Sequence, residues 1–78
     1  MKVNTVVRML RVQRYGSAAE LAQKAGINIL RYKRFESGIK YYHLKRDELY
    51  RIAVILRVPS SMFAQQDGSP KVLDDQLI

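Results

Sequence analysis

The side chains best equipped for chemistry in this chain are its cations, and they are unevenly placed. Residues 1–46 carry eleven lysines and arginines (2, 8, 11, 14, 24, 31, 33, 34, 40, 45 and 46) against only Glu20 and Glu36, a net charge of +9. Residues 47–78 carry three bases and five acids, a net charge of −2. A cluster of ammonium and guanidinium groups attracts a polyanion, so the first part predicts a surface for nucleic acid and the second a different task. The bland alternative is an idle solvated surface. A guanidinium such as Arg34 can address O6 and N7 of a guanine together. Other chemistry is poorly provided for. There is no cysteine and a single histidine, His43, so neither a disulfide nor a thiolate or zinc site is expected. No glycine-rich phosphate loop and no inward pair of acids is present, so no enzyme and no cofactor is expected. No apolar run reaches the roughly 18–20 residues of a membrane span. Met1–Thr5 leads into an apolar stretch broken by Arg8 and Arg11, unlike a secretory signal, and a cytoplasmic location is expected.

The elements that must position these cations read as short helices. Val3, Val7, Leu10 and Arg14 fall at helical spacing and predict a first helix over about Asn4 to Arg14, capped by Asn4 or Thr5 and closed at Tyr15-Gly16. Ser17-Ala18-Ala19-Glu20 is a capping box, so a second helix runs Ala18 to Ala25 with Leu21, Ala22 and Ala25 inward. Gly26 ends it. Asn28 caps a third helix, Ile29 to about Ser37, with Tyr32 and Phe35 inward and Gly38 at its end. A fourth helix, Arg46 to Arg57, carries the stripe Leu49, Ile52, Ala53 and Leu56, and Pro59 stops it. One more short turn holds Met62 and Phe63. The expected fold class is all-α, with four to five short helices. Residues 1–64 form the domain, and 65–78 a linker with a short acidic and apolar tail.

Leu21-Ala22-Gln23-Lys24-Ala25-Gly26-Ile27-Asn28 followed by Phe35-Glu36-Ser37-Gly38 resembles the Cro/cI-type (XRE-like) helix-turn-helix regulators of phage and bacteria. Arg11 matches an arginine that the family places late in helix one, and the resemblance covers roughly residues 3–63. It implies a lambda-repressor-like fold and sequence-specific binding of double-stranded DNA, with the helix at about 29–37 in the major groove. It departs at Gly16, at Tyr32, in a longer loop after Gly38, and at Ala18, where the family often has a glutamine touching the DNA backbone. Reading therefore falls on helix three. The resemblance implies base contacts from Asn28, Ile29, Leu30, Lys33 and Arg34. Ile29 and Leu30 offer no hydrogen bonds; they either meet thymine methyl groups or pack on helix two or on a partner. The resemblance also implies an internal ion pair between Arg11 and Glu36.

Ser17, Arg31, Lys40, Tyr41, Lys45 and Arg46 are the expected phosphate contacts. Tyr41, Tyr42 and His43 either contact the DNA backbone or, for one tyrosine, close the core. Beyond its stripe, helix four has the extra apolar residues Tyr50, Val54 and Ile55. With Met62 and Phe63, these form a dimer interface or receive Leu73, Leu77 and Ile78 of the tail. A homodimer on a palindromic operator follows from the first option. The competing function class is a protein-interaction module on the same fold, such as an antitoxin or antirepressor, with a protein partner held through the tail. No aromatic stacking sheet or repeat points to RNA.

Overall fold

The computed structural model describes residues 5–38 and 43–73. The class expected from the sequence forms: α1 (Val6–Arg14), α2 (Ala18–Lys24), α3 (Ile29–Glu36) and α4 (Arg46–Leu56), followed by a 3₁₀ turn, Ser60–Met62. Among the described residues there is no strand, only two isolated antiparallel bridges, and no helix is long and apolar enough to cross a membrane.

Local chemistry sets each helix start. Thr5 is the cap of α1, its hydroxyl accepting from the Arg8 amide. The capping box of α2 is complete: the Glu20 amide donates to Ser17 Oγ, and the Ser17 amide donates to Glu20 Oε1, both at 3.1 Å. The Ser17 amide first, and the Ser17 hydroxyl second, hold the Glu20 carboxyl below its ordinary pKa. Asn28 Oδ1 accepts from the Arg31 amide at 3.0 Å and starts α3. Lys45, at the cap of α4, has no side-chain acceptor to offer, so only the return half of a box forms, its amide donating to Glu48 Oε1 at 2.8 Å. α2 ends through Gly26 in the left-handed region (φ 70°). α4 ends one residue earlier than its pattern predicts, because Arg57 turns into the same region (φ 61°).

The inward faces meet in one core. Val7 and Leu10 of α1, Leu21 and Ala22 of α2, Tyr32 and Phe35 of α3, and Leu49, Ile52, Ala53 and Leu56 of α4 are buried together with Ile27, Leu44 and Phe63. Each buried aromatic or Leu/Ile side chain contributes about 1.5–3 kcal/mol of transfer free energy. Small residues at Ala22 and Ala25 let α2 lie close to its neighbours. Phe63 corrects the sequence reading: expected on a dimer surface, it is fully buried and completes the core. Ile55, expected beside it, is half-buried and packs against the same core.

The stretch after Ala64, read from sequence as a linker, is tied back into the fold as far as Val72. Ala64 bridges Pro70, and the Gln65 amide donates to Ser69 O at 2.8 Å. The Lys71 amide then donates to Phe63 O, the Val6 amide to Lys71 O at 3.0 Å, and Thr5 bridges Val72. The loop tip also touches the approach to α4, where the Leu44 amide donates to Gly68 O at 3.1 Å. Gly, Ser and Pro are the residues of tight turns as well as of linkers, and only these long-range bonds separate the two.

Candidate nucleic-acid interface

The helix pair α2–α3 and the four-residue break between them, residues 25–28, are held from several sides. The Ile27 amide donates to Ala22 O, and Ile27 itself is buried. Arg51 of α4 donates through Nε to Ala25 O at 2.7 Å, satisfying a carbonyl that the end of α2 leaves without a helical partner. Tyr32 and Phe35, their rings 6.5 Å apart, anchor α3 from beneath. With that face fixed, Asn28, Ile29, Leu30, Lys33 and Arg34 are left on the outside. Leu30 is 57% exposed and Ile29 42%, so neither belongs to the core.

The far end of α3 is tied to α1. Arg11 Nε lies 3.1 and 3.0 Å from the two carboxylate oxygens of Glu36, and Nη2 lies 2.6 Å from Oε1. Arg11 Nη1 donates to Gly16 O at 2.6 Å. Both side chains of the pair are largely out of solvent. The hydrogen bonds to Glu36 hold the Arg11 guanidinium above its ordinary pKa. Beside the pair, the Tyr32 hydroxyl is buried and has no hydrogen-bond partner among the described residues. Burial, and secondarily the Glu36 charge, pushes this phenol well above the ordinary tyrosine range.

The expected phosphate contacts divide. Lys45 and Arg46 are exposed. The Ser17 hydroxyl is occupied as an acceptor by the capping box but remains at the surface. Arg31 has another partner: Nη1 is ion-paired with Glu48 Oε2, which joins α3 to the first turn of α4. That correction has a simple cause, since Glu48 is a buried carboxylate and requires a cation or donors. Lys40 and Tyr41 lie outside the described residues, as does Tyr42. Val54 and Met62, expected at a dimer surface, are exposed at 57% and 46%, beside Tyr50 at 67%.

Sequence reasoning did not foresee the bond of Arg14, whose Nη1 donates to Leu56 O at 3.1 Å and satisfies the end of α4, or those of Arg51 and Glu48 to other helices. A basic residue in the last turn of α1 signals favourable charge there, not a contact with a helix more than forty residues away. Arg8 was also left without a role. It lines a cleft of about 260 Å³ with Arg11, Ala18, Lys33, Glu36 and Ser37. In comparisons with protein families, curated proteins and solved structures, nothing matches this chain.

Proposed function

We propose that this protein is a sequence-specific, double-stranded DNA-binding regulator of the helix-turn-helix type, acting in the cytoplasm as a repressor. The observation that carries the reading is the outer face of α3. A short helix pair, rigidly seated on one core, leaves Asn28, Ile29, Leu30, Lys33 and Arg34 directed away from it. A helix so presented fits the major groove, about 12 Å wide. Arg34 supplies a fork suited to guanine, a contact worth about 1–3 kcal/mol of discrimination, and Ile29 and Leu30 supply apolar surface suited to thymine methyl groups. The exposed Tyr50, Val54 and Met62 support pairing of two copies, which would double the bases read and favour an inverted repeat. The same exposed residues favour the second reading, a protein-interaction module such as an antitoxin or antirepressor.

Selection from a random duplex pool at low salt tests both. A short inverted repeat is expected, with preference lost at one position when Arg34→Ala is used and affinity lowered when deoxyuridine replaces thymine. Failure to bind any duplex would remove the DNA reading and leave the interaction module. Sedimentation of the pure protein, free and on the selected duplex, tests pairing; a monomer in both conditions would count against it.

A further inference from the structure

The cleft between α1, the start of α2 and the end of α3 has a charge pattern that the internal contacts leave unbalanced. Of its lining residues, Arg11 and Glu36 neutralise each other through the fork described above. Arg8 and Lys33 remain. Both are exposed, they lie on different helices 25 residues apart in sequence, and neither side chain has a hydrogen-bond or ion-pair partner among the described residues. Ser37 Oγ is turned to Arg34 O and offers nothing to offset them. Ala18 contributes only a methyl group to the lining of this open cleft. Two like charges facing one concavity repel unless an anion lies between them.

We propose that this cleft takes a phosphate of the DNA backbone, with Arg8 and Lys33 as its two cations. The proposal rests on the DNA-binding reading. It moves Lys33 from base reading to backbone contact and adds Arg8 to the interface. It also gives Ala18 a role: the short side chain leaves the room that the phosphate occupies. Such a contact fixes the register of α3 on the duplex and carries no sequence information.

The test is the dependence of affinity on salt, measured on the duplex that the wild-type protein selects. Arg8→Ala and Lys33→Ala are each expected to lower affinity on all sequences alike, and to make the slope of log K against log salt shallower by about 0.9. Arg8→Lys is expected to keep the wild-type slope. Lys24→Ala removes the same charge at the end of α2 and is expected to leave the slope unchanged. All three positions are exposed, so unaltered thermal unfolding is expected and verifies the fold. Wild-type slopes in both Arg8→Ala and Lys33→Ala, with duplex binding intact, would overturn the proposal alone. So would an equal loss of slope in Lys24→Ala, which would show a diffuse charge effect, or relaxed preference at one base position in Lys33→Ala with its slope intact. Absence of any duplex binding by the wild-type protein would overturn the DNA reading and this proposal together.

Discussion

The hydroxyl of Thr5 donates to the carbonyl oxygen of Glu36 over 2.7 Å, joining the cap of α1 to the last residue of α3. Thr5 Oγ1 also accepts from the Arg8 amide, so one fully buried hydroxyl serves two helix ends. Thr5→Val keeps the shape and removes both bonds, leaving a buried carbonyl unsatisfied. A loss of about 1–3 kcal/mol is expected in chemical denaturation, with Thr5→Ser retaining most of the stability.

Glu36→Ala should be more damaging. It strands Arg11 in a site with little solvent, and removing one partner of a buried pair costs about 3–5 kcal/mol. Thermal unfolding checks this. Unchanged stability would show that the pair is ornamental and that α3 is held by its aromatic anchors alone.

Tyr32→Phe is expected to be neutral or stabilising, because the hydroxyl it deletes is buried without a partner among the described residues. Its effect on pH dependence has a definite sign. The folded phenol titrates above the ordinary value of 10.0, so its contribution is complete below pH 10 and is lost as pH rises beyond it, when ionisation favours the unfolded chain. Comparing wild type with Tyr32→Phe between pH 8 and pH 11 (about the range where tyrosine begins to ionise) should show a shallower alkaline loss in the variant.

Two glycines in left-handed conformations should respond differently to alanine. At Gly26 an added Cβ meets nothing within 4 Å, so only the backbone penalty of about 1–2 kcal/mol applies. At Gly68 (φ 92°) the Cβ would lie 2.5 Å from Leu44 O, a backbone atom that cannot swing aside. Gly68→Ala is expected to cost more than Gly26→Ala and to raise amide exchange at Leu44 and Lys71 before it affects the core helices. Equal losses with no local exchange change would contradict that ranking.

How legible each feature was depended on its range. The capping box of Ser17 and Glu20, the cap at Asn28 and the stripe Leu49–Leu56 depend on residues three or four apart, and each stands where its spacing put it. The outward set on α3 was legible for the same reason, since Tyr32 and Phe35 dictate the opposite face. The Arg31–Glu48 pair and the bonds from Arg14 and Arg51 to other helices span 17 to 42 positions, and no local pattern announces them. Phe63 was misjudged because a single 3₁₀ turn is too short for periodicity to tell inside from outside. The closing of residues 64–72 onto Thr5 and Val6 was hidden by a composition that suits a turn and a linker equally.

That closure has a mechanical consequence. Because Thr5 bridges Val72 and Val6 bonds to Lys71, the two ends of the described chain meet side by side. Anything joined to either end departs from one spot, and tension between the ends would be borne first by these few backbone bonds. If they peeled apart, Thr5 would lose its seat, and the load would pass through its hydroxyl to the tail of α3. A pull on the termini would therefore be felt at the helix proposed to read DNA before the core began to open.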